Sequence, residues 1–215
     1  MSAEKYILWD WNGTLLDDTS AALATLNAML RRRGAEEIDL EFYRNNFAFP
    51  VRPFYESIGM ALENEDWDAL AREYHDLYAL EPKRLNPEAA AALEAVAKAG
   101  VKQSVISALR QDLLENAIAS FGISGFFEYV FGVDNLDGES KLSRAEELVR
   151  TIGEREFVLI GDALHDKEVA DSIGARCVLC SQGSHAHHRL EAAATAAETL
   201  LQAVDAALRK TIKPR

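Results

Sequence analysis

A short apolar run, Tyr6 to Trp9, ends abruptly in a carboxylate, Asp10, and the chain then turns at Gly13 within the string WDWNGTLLDD, residues 9–18. Four consecutive apolar residues are too few for a buried helix and suit a strand covered on both faces. An aspartate directly after such a strand stands at the edge of a sheet, and the glycine two residues beyond Trp11 permits a tight turn back towards it. Thr14 adds a hydroxyl and an amide close to the same point.

The same kind of run recurs four times, at Ser104–Ser107, Tyr129–Gly132, Phe157–Ile160 and Cys177–Cys180. Helical patterns separate the runs: Pro87–Lys98 before Gly100, Gln111–Phe121 before Gly122, Leu142–Thr151 before Gly153, and Asp166–Ile173 before Gly174. A long alanine-rich helix is predicted over His188–Lys210. Short strands alternating with helices specify an α/β protein with a doubly wound parallel sheet, whose reactive groups gather beyond the carboxyl ends of the strands. Between the first and second strands the pattern breaks. Residues 18–85 hold helical candidates at Thr19–Arg33, Leu40–Asn45, Val51–Ile58 and Asp66–Leu80 and no good strand, which is too much chain for a loop. The predicted organisation is an α/β core of residues 1–17 and 86–215 with an inserted helical domain at 18–85. Hinges are expected near Leu16–Asp18 and Pro82–Pro87. The aromatic residues of the insert are expected to fill its core and its contact with the sheet domain.

The formal net charge of −12 argues against a nucleic-acid partner, since such proteins draw affinity from basic surfaces. No apolar run reaches membrane-spanning length, and no apolar leader follows Met1, so a cytoplasmic protein is expected, as monomer or homodimer. The two cysteines, Cys177 and Cys180, share one strand candidate. They read as small apolar core residues rather than half of a zinc site.

Four features together carry chemistry: Asp10 after the first strand, Ser107 at the end of the second, Lys141 ahead of a helix, and Asp162 with Asp166 in GDALHD, residues 161–166. Any one of them alone could be a helix cap. In this order, each beyond its own strand or loop, they suit phosphoryl transfer, which needs a nucleophile and neutralisation of the phosphoryl oxygens. Asp10 would attack phosphorus and form an acyl-phosphate that water then hydrolyses. A hard cation must offset the repulsion between carboxylate and phosphate. Mg2+ held by Asp10, the main-chain carbonyl of Asn12 and Asp162 fits this need, with Asp166 as a further ligand or as the partner of Lys141. Ser107, Thr14 and the neighbouring Ala108 would contact the phosphate, and Lys141 would offset its charge.

This combination resembles the haloacid dehalogenase-like hydrolase superfamily, in its phosphoglycolate phosphatase and β-phosphoglucomutase branch, over essentially the whole chain. The resemblance implies a Rossmann-like core with an inserted helical cap. It also implies a magnesium-dependent phosphatase acting on a small phosphorylated metabolite, phosphoglycolate-like or a sugar phosphate. Asp10 matches the nucleophile, Ser107 the hydroxyl of the second motif, Lys141 the lysine of the third, and Asp162 and Asp166 the acidic fourth motif. One position departs. The residue two beyond the nucleophile is normally a second aspartate that protonates the leaving alcohol, and here it is Asn12, whose amide carries no exchangeable acid proton. Three readings follow: a phosphatase weakened at this step or served by another acid or a good leaving group; a phosphonate-cleaving relative, for which the insert offers only Lys83; and a phosphate-binding or regulatory module without turnover.

Specificity is expected from RNNFAFPVRPF, residues 44–54, where Arg52, and less so Arg44, could clamp a second anionic group. Arg110, Gln111, His165 and the group His185, His187 and His188 are weaker candidates for roles near the site.

Overall fold

The computed structural model describes residues 4–63, 65–134 and 141–209. Five predicted strands are present, several of them longer than expected: β1 (Lys5–Trp9), then, after two short intervening strands are counted in chain order, β4 (Lys102–Arg110), β5 (Val130–Val133), β6 (Glu156–Gly161) and β7 (Arg176–Cys180). The intervening and added strands are β2 (Leu16–Asp17), β3 (Arg84–Leu85) and β8 (Thr195–Ala197). Six strands form one parallel sheet in the order β5-β4-β1-β6-β7-β8. The chain winds outward from β1 through β4 to β5, then returns to β6 and proceeds the other way, so the reversal of strand order falls beside β1.

Alternation along the strands sorts the core into two layers. Ile7 and Trp9 face Val158, Ile160 and Val178, under α5 (Ala89–Lys98), α6 (Gln111–Ser120) and α10 (Leu200–Leu208). Tyr6 and Leu8 face the other way, with Phe157, Leu159 and Leu179, under α7 (Lys141–Ile152), α8 (Leu164–Ser172) and α9 (His187–Glu191). Cys177 belongs to the second layer and Cys180 to the first. Their sulfurs therefore point to opposite faces of the sheet and cannot share a metal, and burial pushes the Cys180 thiol up to about 12.

The helix predicted over His188–Lys210 is not formed as one element, and Lys210 lies outside the described residues. The chain makes α9, crosses the sheet edge as β8 and restarts as α10. The physical reason is the open edge of β7. Thr195–Ala197 pair in register with Val178–Cys180, which satisfies backbone groups that a surface helix would have had to bond internally. Thr199 then caps α10 by accepting a hydrogen bond from the Gln202 amide. Alanine is compatible with either state, so the run AAATAAET gave no local warning.

Residues 18–85 contain α1 (Thr19–Arg32), α2 (Leu40–Asn46), α3 (Val51–Ser57) and α4 (Trp67–Leu80). These helices have a separate apolar cluster that includes Leu26, Met29, Leu30, Phe54, Leu62 and Leu70. Asp39 caps α2 and Asp66 caps α4. The chain enters and leaves this region through the antiparallel ribbon β2–β3, which Arg84 fastens to Asp17 across 2.9 Å. No helix among the described residues is long and apolar enough to cross a membrane.

Candidate active site

Asp10 follows β1 directly, and its amide continues the ladder to β6 by donating to the Ile160 carbonyl at 2.9 Å. Its side chain is therefore presented at the carboxyl edge of the sheet's centre. Gly13 then adopts φ +77°, and a Cβ there would collide with the Asp162 carboxylate, so both the backbone angle and the space demand glycine. Asp162 and Ala163 leave β6, and both of their amides donate to Asp166 Oδ2, at 3.1 and 3.0 Å, which starts α8. Lys141, the first residue of α7, reaches back to Asp10 Oδ1 at 2.5 Å and Asp166 Oδ1 at 2.6 Å.

Asp162 is braced from two sides, by the Ser184 amide at 2.5 Å and the Thr14 hydroxyl at 3.3 Å. Ser107 is buried in the long strand β4, with its Oγ accepting from the Leu109 amide. Thus Asp10, Thr14, Ser107, Lys141, Asp162 and Asp166 converge, and Asn12 and Ala108 line the same cavity of about 220 Å³.

Oxygens of Asp10, Asp162 and Asp166 lie within 4.8 Å of one another, all buried. Burial, reinforced by the charge of Asp166, raises Asp10 to about 7 despite the neighbouring Lys141. Burial and then the charges of Asp10 and Asp166 push Asp162 well up. Asp166 goes the other way: burial opposes its charge, but Lys141 and the backbone amides hold it below the ordinary carboxylate range. Lys141 itself is desolvated, yet its two carboxylate partners keep it firmly protonated. Three carboxylates set against one ammonium leave negative charge uncompensated in a buried space, and their donors are all hard oxygens. This is the demand that a divalent cation such as Mg2+ meets.

Asn12 is tied elsewhere. Its Nδ2 donates to Asp18 Oδ2 at 2.7 Å and to the Tyr78 hydroxyl at 3.1 Å, and Tyr78 in turn donates to Asp18. Burial raises Asp18 above its ordinary value, against the hydrogen bonds from Tyr78 and Asn12. Asp18, Tyr78 and the Ser184 amide were not singled out in the sequence. Asp18 sits in the quoted string, but nothing in spacing places Tyr78, 60 residues later, beside it.

The other candidates scatter. Arg52 is exposed on α3, 3.5 Å from Glu56 and over the Trp67 ring, and it does not line the cavity. Arg44 instead donates to the carbonyls of Gly183 and Gln182, at 2.9 and 2.8 Å. Arg189 returns hydrogen bonds to the carbonyls of Arg44 and Phe47. Lys83 bonds to the carbonyls of Tyr78 and Glu81 with its ammonium over the Tyr78 ring, and it does not line the cavity. Arg110 pairs with Asp112, and Gln111 bonds to Glu115 and to the Val130 carbonyl. His165 lines the cavity beside Phe49. His185 is buried and accepts from the Leu164 amide at 3.0 Å, and His187 contacts Ser181.

A family model described as haloacid dehalogenase-like hydrolase matches residues 7–180, which run from within β1 to the end of β7 and include Asp10, Ser107, Lys141, Asp162 and Asp166. The chain belongs to the haloacid dehalogenase-like hydrolases. Within that family it is similar to the phosphoglycolate phosphatase of Aquifex aeolicus, 25% identical over 183 residues that make up 83% of this chain and 85% of the relative. It is also similar to the phosphoglycolate phosphatase of Rhodobacter capsulatus, 25% identical over 184 residues, 82% of this chain and 84% of the relative. A haloacid dehalogenase-like protein of Agrobacterium tumefaciens shares the fold with a TM-score of 0.77 at 17% identity, over 95% of this chain and 99% of that one.

Proposed function

We propose that this hydrolase is a magnesium-dependent phosphatase of a small phosphate monoester, with Asp10 as nucleophile. Residues 1–17 and 86–215 act as the core that handles the phosphate, and residues 18–85 act as a cap that encloses the organic part of the ester. The observation that carries the reading is Lys141 held between Asp10 and Asp166, with Asp162 alongside, at the mouth of β1. The named phosphatase relatives support turnover over phosphate binding alone.

In this reading the Asp10 carboxylate attacks phosphorus, the bond to the ester oxygen breaks, and the leaving oxygen takes its proton from solvent. Water then attacks the phosphorus of the aspartyl-phosphate, loses a proton, and returns inorganic phosphate and free Asp10. Lys141 favours the ionised form of Asp10 and orients it, and the Ser107 hydroxyl and the groups near Thr14 and Ala108 hold the phosphoryl oxygens. Asp10, Asp162, Asp166 and the Asn12 carbonyl would hold Mg2+, which when bound neutralises charge between the carboxylates and the phosphoryl group. Asn12 positions; it transfers no proton.

The test is hydrolysis of p-nitrophenyl phosphate by the full chain with and without Mg2+, beside Asp10→Asn. Metal-dependent release of nitrophenol that Asp10→Asn abolishes supports the reading. Equal rates for the two proteins sink it.

A further inference from the structure

The wall of the cavity facing the carboxylates is aromatic. Tyr43, Phe47, Phe49, Tyr55, Trp67 and Tyr74 all line it, and all come from residues 18–85. The rings are organised against one another: Tyr43 stacks on Phe47 with centroids 4.8 Å apart, and Phe47 meets Phe49 edge-on at 5.3 Å.

Among the described residues no arginine or lysine of the insert stands on that wall to meet a second anionic group, and the imidazoles in the lining are His75 and His165. Residues 31–84 include eight arginines and lysines, and none of them lines the cavity. Arg33 is spent on Glu65 and Glu73, Arg52 on Glu56, and Arg44 and Lys83 on backbone carbonyls. The lysine among the described lining residues is Lys141, already held by Asp10 and Asp166. Residues 135–140, NLDGES, contain no basic residue to supply one. A substrate carboxylate placed against this wall would be stripped of water with no arginine or lysine to pair it. A ring placed there would exchange water for apolar contact and aromatic edges.

The other end of the cavity points the same way independently. By the family resemblance Asn12 stands where a proton donor would serve the leaving oxygen, and it cannot give one, while Asp18 beside it already accepts from Asn12, Tyr78 and the Gly13 amide. An alkoxide leaves badly without a proton, whereas a phenolate, whose conjugate acid has a pKa of about 10, leaves without one.

Resting on the phosphatase reading above, we propose that the substrate is a small aryl phosphate monoester, its single ring held by the insert's aromatic wall. The Asp10–phosphorus bond forms as the bond from phosphorus to the aryl oxygen breaks. The electron pair departs on the phenolate, which solvent protonates.

The experiment compares kcat/KM of the full chain with Mg2+ for phenyl phosphate, 2-phosphoglycolate and glycerol phosphate. It adds dissociation constants, measured by calorimetry, for phenylphosphonate, methylphosphonate and inorganic phosphate, on the wild type and on Phe49→Ala, a change at a partly exposed ring outside the insert's buried cluster. Phenyl phosphate is expected to exceed both other esters at least 100-fold. Phenylphosphonate is expected to bind at least 10-fold more tightly than methylphosphonate. Phe49→Ala should weaken phenylphosphonate several-fold and leave inorganic phosphate unchanged. Hydrolysis of 2-phosphoglycolate as good as that of phenyl phosphate overturns the proposal and leaves the phosphatase reading standing. Selective binding of phenylphosphonate with no ester hydrolysed supports the ring pocket and overturns the phosphatase reading. Equal binding of the two phosphonates overturns the ring pocket whatever the turnover. A phosphotyrosine peptide cleaved with higher kcat/KM than phenyl phosphate overturns the small-molecule assignment.

Discussion

The side-chain amide of Asn12 donates to the carboxylate of Asp18 across 2.7 Å, inside the first turn after the central strand. Replacing Asn12 by aspartate deletes that donor and sets two carboxylates against each other, which raises the pKa of one of them towards neutrality. Asn12→Asp should therefore gain a general acid. We expect kcat on glycerol phosphate to rise by about 10²-fold or more, within the usual range for such groups, and kcat on phenyl phosphate to change much less. Phosphate release from the two esters checks it.

Asp10→Asn should cut turnover of every ester by at least about 10³-fold, as loss of a nucleophile does elsewhere. In chelator the same variant should melt at a higher temperature than the wild type. It removes one charge from a buried cluster that burial already pushes towards protonation. With Mg2+ present that advantage should vanish or reverse. Thermal melts with and without the ion decide the point.

Lys141 is 4% exposed and compensates Asp10 and Asp166 together. Lys141→Met leaves both carboxylates buried without it, and breaking a buried pair from one side costs about 3 kcal/mol or more. Urea unfolding in chelator should show that loss, and saturating Mg2+ should recover part of it.

Burial, and then the nearby Arg189, lower His185 from 6.5 to about 4. Between those two values the unfolded chain binds a proton that the native one refuses. Stability is therefore full above pH 6.5 and falls as the pH drops towards 4, by roughly 3 kcal/mol at most from this group. His185→Asn keeps an acceptor for the Leu164 amide and does not titrate. Unfolding free energies measured from pH 7 to pH 4 should fall less steeply for the variant.

The doubly wound sheet was readable because each central strand is a dense apolar run stopped by polar residues, and because Asp10, Lys141, Asp162 and Asp166 each follow or precede such an element. β8 was not readable, because its stability comes from pairing with the β7 edge and not from its own alanines. The expectation that the insert's aromatic residues fill its core and its contact with the sheet domain holds for Phe54, and also for Tyr43 and Tyr55, which are buried in that core while lining the cavity. The sequence has no marker for rings that do both, since core and pocket wall demand the same residue types. The arginine expected to clamp substrate, Arg52, has the right chemistry on the outer side of a seven-residue helix. Which side of so short a helix faces inward depends on contacts with distant chain.

Arg44 grips the carbonyls of Gln182 and Gly183, and the next residue, Ser184, offers its amide to Asp162. The region that would choose the substrate is thus fastened to the loop that steadies a carboxylate of the reaction centre. Mutations that reshape the aromatic wall will also disturb that carboxylate. Substrate preference and reaction rate in this lineage would then drift together, and adaptation to a new ester would require compensating changes around residues 182–184.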